Sequence, residues 1–213
     1  MAFTMADAAK AAQAAKEKLA RTKVYMANMF KGGVIVAVEN GEQAKIAEKL
    51  GARGVEVVAP VPKAPALEFN TTVTADPSIV REVLGAVVLP VVGRIRYGHV
   101  IEAQVMKACG VNAIDEHEGT TNASDEVVPK ADDTLPYFAG IKRLQRLPVP
   151  LFADGGIVLP TDVAMVMDLK ADGAIVSQVV FQVPDPARRV RSMVMAAAHF
   201  RNPAILLQFV EDT

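Results

Sequence analysis

Short runs of β-branched apolar residues alternate with longer mixed stretches along most of the chain. Gly33-Val-Ile-Val-Ala-Val38 is apolar at every position, the pattern of a strand covered on both faces. Glu42 to Leu50 follows as a helix, and Gly51 stands where a C-terminal glycine belongs. Gly54 to Val58 is the next strand, and a stretch with Pro60, Pro62 and Pro65 reads as an irregular loop through Thr74. Asp76-Pro77 opens a helix as N-cap and first-turn proline. Leu89 to Val92 predicts a strand, Val100 to Ala108 a helix ending at Gly110, and Ala113 to Asp115 a strand. Later, Val149 to Ala153 and Gly173 to Val180 predict strands, and Thr161 to Leu169 and Pro186 to Phe200 predict helices.

Strands apolar on both faces and joined by helices imply an α/β fold with a helix-covered parallel sheet. An eight-unit barrel takes about 250 residues, more than this chain provides. Six strands are clear and a seventh, near Tyr137 to Gly140, is weak. The expectation is a shortened (β/α)8 TIM-barrel-like fold lacking one to two βα units around strand 6, between Glu118 and Arg146. Residues Met5 to Ala20 are rich in Ala, Lys and Glu and predict a helix. The expected organisation is therefore an N-terminal helical extension over 1–22 and an incomplete barrel over 23–213.

Composition narrows the function classes. Hydrophobic residues at 51% and charged residues at 22% suit a folded core rather than a disordered chain. A formal charge of −1 gives no basic field, so neither nucleic acid nor membrane is an expected partner. The single cysteine, Cys109, excludes an internal disulfide, and the lysine-bearing N-terminus lacks an apolar secretory block. A cytoplasmic protein is expected.

Lys31-Gly-Gly-Val-Ile-Val-Ala-Val38 with Glu42-Gln-Ala-Lys-Ile-Ala-Glu48 resembles the opening strand and helix of the synthase (lyase) subunit of pyridoxal 5'-phosphate synthase, a vitamin B6 biosynthesis family. The resemblance continues through Ala75-Asp-Pro77, Arg96-Tyr-Gly-His99, Glu102-Ala-Gln104 and Ile114-Asp-Glu116. It resumes at Leu147-Pro-Val149, Phe152-Ala-Asp-Gly-Gly156, Pro160-Thr-Asp162, Ala171-Asp-Gly173 and Asp185-Pro-Ala187. It implies a (β/α)8 barrel in hexameric or double rings. Such rings build pyridoxal phosphate from a pentose phosphate, a triose phosphate and ammonia from a glutaminase partner.

The chain departs from that pattern at the chemistry. Where the family's first strand carries a required aspartate stands Ala37, and where its third strand carries the imine-forming lysine stands Arg94. A guanidinium stays protonated and is no amine nucleophile. The family's second lysine, on its sixth strand, has no counterpart, and its C-terminal tail is cut short at Thr213. Of two glycine turns that present backbone N–H groups to the sugar phosphate, Gly155-Gly156 remains, preceded by Asp154, while the other has become Ser177-Gln178-Val179. Gly155, Gly156, Ser177 and Gln178 are thus the remnant of a phosphate site.

Other residues offer candidate chemistry. Asp115 and His117 share one face of a strand while Glu116 and Glu118 share the other. Asp115, Glu116 and His117 are acid–base candidates, but further ligands are not visible, so neither metal nor cofactor is assigned. Arg94, if inward, is expected to pair with a carboxylate such as Asp115. His99 reads as a packing or capping residue, Cys109 as a small hydrophobe, and Arg188-Arg189-Val-Arg191 as a solvated helix face.

The leading expectation is a pseudoenzyme, a lyase-like homo- or hetero-oligomer that assembles with or regulates an intact synthase subunit in a ring, with the glutaminase subunit as a further candidate partner. The alternatives are altered chemistry on a phosphorylated small molecule and a decayed, truncated copy.

Overall fold

The computed structural model describes residues 13–14, 25–60, 74–96, 98–117 and 150–211. Apart from Gln13 and Ala14, the expected extension over 1–22 lies outside the described residues, as do positions 61–73 of the proline-rich loop and the weak strand near Tyr137 to Gly140.

Among the described residues six parallel strands form one sheet: β1 (Gly33–Val38), β2 (Gly54–Val57), β3 (Val91–Arg96), β4 (Ala113–His117), β5 (Phe152–Ala153) and β6 (Gly173–Val176). Helices α1 (Gly41–Lys49), α2 (Pro77–Ala86) and α3 (Val100–Cys109) connect the first four strands, and α4 (Pro160–Asp168) joins β5 to β6. A 3-10 turn at Gln178–Phe181, then α5 (Pro186–His199) and α6 (Pro203–Glu211), follow β6.

Local chemistry explains the boundaries. Asn40 caps α1 by accepting from the Gln43 amide at 2.9 Å, and Asp76 caps α2 by accepting from the Ser78 amide at 2.8 Å. Gly110 takes the left-handed conformation that ends α3, φ 97°, and its amide bonds back to the Met106 and Lys107 carbonyls.

Several strand boundaries differ from the sequence expectation: β2 ends at Val57 rather than Val58, and β4 runs to His117 rather than Asp115. The third strand starts at Val91 rather than Leu89 and runs to Arg96. Before it, the Val88 and Leu89 amides are bonded to the Glu48 side chain at 2.7 and 3.1 Å, and Pro90 has no amide to offer. Of the strand expected over Val149 to Ala153, Val149 lies outside the described residues, and among the rest only Phe152 and Ala153 pair with β6. The run expected as a strand to Val180 leaves the sheet after Val176, where pairing with β1 ends, and turns so that Val180 is buried in the core. Helix α6 was not expected, although Asn202 before Pro203 is a legible start signal; the Asn202 side chain accepts from the Ile205 amide at 3.3 Å.

The strand order is β4-β3-β2-β1-β6-β5. An eight-stranded barrel opened between its fourth and seventh strands has this order, with β5 and β6 in the seventh and eighth places. Among the described residues β4 and β5 are the edges. The architecture is the expected α/β one, a shortened TIM-barrel-like sheet.

Side chains alternate between two apolar layers. Val34, Val36, Val38, Val55, Val57, Val91, Ile95, Ala174 and Val176 join the large cluster beneath the helices. Ile35, Val92, Ala113, Phe152 and Ile175 face the other way with Phe30. The Phe30 and Phe152 rings meet edge to face, centroids 6.2 Å apart. Both rings pack against glycines of the sheet: a Cβ on Gly54 would come within 2.5 Å of the Phe30 ring, and one on Gly173 within 2.9 Å of Phe152. Among the described residues no helix is long and apolar enough to cross a membrane.

Candidate functional site

Parallel strands deliver all their carboxyl ends to one rim, so residues late in each strand on the inner face converge there. Ala37, Glu56, Arg94, Asp115 and His117 occupy those positions, and Asp154 follows β5. Register places Ala37 beside Glu56 and Arg94 beside Asp115.

Arg94 is the centre of the group. Its Nε and one terminal nitrogen donate to the two oxygens of Glu56, at 3.0 and 2.6 Å, a two-point contact of planar fork with carboxyl. The same terminal nitrogen lies 3.4 Å from Asp154 Oδ2, and Nε lies 3.6 Å from Asp115 Oδ2. Glu56 is wholly inaccessible to solvent. Burial pushes its carboxyl up to about 8; Arg94 opposes that rise without cancelling it, and Asp115 adds to it. Arg94 itself is held above its ordinary value: burial works against its charge, but Glu56, Asp154 and Asp115 outweigh it.

His117 Nδ1 stands 3.3 Å from Asp154 Oδ2 and 3.9 Å from Asp115 Oδ2. Asp115 Oδ2 is shielded from solvent yet has no hydrogen-bond partner. One atom each from Asp115, His117 and Asp154 lie within 4.8 Å of one another. The expected pairing of Arg94 with a carboxylate is present, but its principal partner is Glu56 and Asp115 is a longer contact.

The other sequence candidates are elsewhere. Glu116 is exposed on the opposite face and accepts from the Gly98 amide at 2.7 Å, so it is separated from Asp115 and His117. Gly155 and Gly156 both have left-handed backbones, φ 86° and 70°, with open space where a Cβ would stand. The Gly155 amide is already engaged, donating to Asp154 Oδ1 at 2.7 Å. An internal carboxylate thus holds one of the N–H groups a phosphate would need. The Ser177 hydroxyl donates to Gln178 Oε1 at 3.1 Å. His99 precedes α3, but its side chain makes no capping bond. Cys109 is partly buried against the large core.

A second polar cluster stands beside the rim. Glu102 on α3 accepts from Arg96 Nε at 2.8 Å, from the Arg96 amide at 3.0 Å and from the Thr74 hydroxyl. Burial works against its charge, but the bonds from Arg96 and Thr74 prevail and hold its carboxyl down at about 2.

Sequence reasoning passed over Glu56 and treated Asp154 only as a neighbour of the glycine turn. The signal for Glu56 was present: one acid inside Gly54-Val-Glu-Val-Val58, a run apolar at every other position. A charge in such a strand requires a partner, and Arg94 on the next strand is the available cation.

The model of the SOR/SNZ family matches residues 19–146. The pyridoxal 5'-phosphate synthase subunit PdxS of Deinococcus radiodurans is 30% identical over 261 aligned positions, covering 89% of this chain and 85% of that protein. The PdxS subunit of Bacillus cereus is 34% identical over 254 positions, covering 85% of this chain and 86% of that protein. Both alignments are longer than this chain of 213 residues, so part of each relative has no counterpart here. Among solved structures, a monomeric form of phosphoribosylanthranilate isomerase from Thermotoga maritima superimposes with a TM-score of 0.51 at 15% identity. It covers 78% of this chain and 98% of that one, a likeness of fold alone. With matches of this extent to the family model and to full-length relatives, the chain belongs to the SOR/SNZ family.

Proposed function

We propose that this chain is a catalytically impaired member of its family, a pseudoenzyme that serves vitamin B6 biosynthesis by assembling with, or regulating, an intact synthase subunit. One observation carries the reading. Where the resembling family has its imine-forming lysine stands Arg94, and its guanidinium is locked to the buried Glu56. Imine formation needs a neutral amine lone pair, and a guanidinium pushed above its ordinary value offers none. Ala37 removes the neighbouring carboxylate, and Asp154 holds an amide of the surviving glycine turn.

The relatives are named as subunits of a synthase, which favours a protein partner. An intact synthase subunit is the first candidate and a glutaminase subunit the second. A cytoplasmic setting accords with the single cysteine. Light-scattering mass after size exclusion tests the assembly reading, for this chain alone and co-expressed with the Bacillus cereus subunit. A mixed species of defined mass is expected. Two separate species in the co-expressed sample would overturn it. Altered chemistry on a phosphorylated small molecule is the weaker reading, because carboxylates outnumber cations at the rim and repel a phosphate.

A further inference from the structure

Arg94 faces three carboxylates, Glu56, Asp115 and Asp154. Its two-point contact is given to Glu56, leaving Asp115 and Asp154 at 3.6 and 3.4 Å. Whether or not Glu56 carries a proton, the acids exceed the single guanidinium, and this surplus sits in a partly buried rim where like charges are costly. Asp115 Oδ2 is shielded from water without any hydrogen-bond partner, its contact with the Arg94 Nε being a longer one at 3.6 Å.

The surplus is arranged around a common point. Period two puts Asp115 and His117 on one face of β4, and the turn after β5 brings Asp154 against them. His117 Nδ1 lies 3.3 and 3.9 Å from the Asp154 and Asp115 oxygens. Three ligands each about 2.1 Å from one ion stand roughly 3.4 Å apart in a tetrahedron; the two His117 distances bracket that spacing, and all three atoms lie within 4.8 Å of one another. We propose that Asp115, His117 and Asp154 form a binding site for a divalent transition-metal cation.

The donor set defines the class. One imidazole with two carboxylates suits Zn2+ and its first-row neighbours, whereas Mg2+ and Ca2+ prefer oxygen ligands alone. Three protein ligands leave at least one position for water, as in sites open to exchange. Sequence reading assigned no metal because the third ligand comes from a distant segment. The site requires neither an assembly partner nor a phosphorylated substrate, so its test is separate from that of the proposed function.

The test is calorimetric titration of the chelator-treated full chain with Zn2+, and separately with Mg2+. About one equivalent of Zn2+ is expected to bind, with little heat from Mg2+. Asp115→Asn, His117→Ala and Asp154→Asn should each weaken Zn2+ binding tenfold or more, and Glu116→Gln should leave it unchanged. The wild-type Co2+ spectrum supplies a readout that does not depend on the variants folding. Intense visible bands of a four- or five-coordinate nitrogen–oxygen site are expected. The weak spectrum of six-coordinate hydrated Co2+, a thiolate charge-transfer band from Cys109, or Zn2+ affinity unchanged in folded variants would each overturn the proposal.

Discussion

Replacing Arg94 by methionine tests whether the rim is held together by charge. The substitution keeps an unbranched stem of similar reach and removes the guanidinium from Glu56, which has no solvent access. Removing one partner of a buried pair costs about 3–5 kcal/mol, because the other charge is left uncompensated. Glu56 has a way out, since its carboxyl already stands at about 8 and Arg94 is among the influences that hold it down. Already largely neutral at pH 7, it rises further without Arg94, so no buried charge is stranded and the loss falls below that range, at about 1–3 kcal/mol for the hydrogen bonds left unmade. A carboxyl raised in the folded state contributes stability that is present below its unfolded value of 4.5 and is lost as pH rises toward 8. In the variant that decline should extend to higher pH. Urea denaturation at a series of pH values measures both quantities, and adding Glu56→Gln should recover much of the loss and flatten the profile. A loss below about 1 kcal/mol, with the wild-type pH profile unchanged, would refute the assignment of Arg94 and Glu56 as a coupled buried pair.

Other parts of the structure give independent expectations. Met106 is fully buried beneath β3 against Gly93, so Met106→Ala should cost about 2–5 kcal/mol in the same urea assay. Gly173→Ala would bring a methyl within 2.9 Å of the Phe152 ring and 3.0 Å of the Gly33 carbonyl, and should cost about 1–3 kcal/mol, read as a lowered melting temperature. Glu102, depressed to about 2, contributes stability present above 4.5 and lost as pH falls toward 2. An acid titration of stability should therefore be shallower in Glu102→Gln than in the parent chain.

The large core was legible because parallel strands buried on both faces announce themselves as uninterrupted apolar runs. Gly33–Val38 is the plainest case, and both its ends agree with the structure. The segment after Val176 misled for the same reason: Gln178 to Phe181 is nearly as apolar, but burial there comes from packing onto helices rather than from strand pairing. At the rim, sequence reading identified Asp115 and His117 as sharing a face, since both lie on one strand. It did not join them to Asp154, which arrives from another element, nor did it see Glu56 as the partner of Arg94. Contacts made across a sheet depend on register, and a one-residue slip would have turned Glu56 away from the inner face.

Register also decides what a simple reversion would achieve. Arg94→Lys restores the residue type that the family resemblance associates with imine formation, yet a lysine there meets the buried Glu56. An opposite charge at such range stabilises the ammonium form, whereas attack on a carbonyl needs the free amine. The single reversion should therefore leave a protonated, unreactive lysine, and borohydride treatment with a pentose phosphate should yield no adduct by intact mass. Adding Glu56→Gln removes the nearest counter-charge while keeping a hydrogen-bonding group of the same shape. Asp115 and Asp154 still face the position, so burial lowers the lysine pKa only part of the way, and a small amount of trapped adduct is expected. Efficient trapping by Arg94→Lys alone would show that Glu56 does not silence this position, and would leave the substitution at residue 94 as the sole block to the first covalent step.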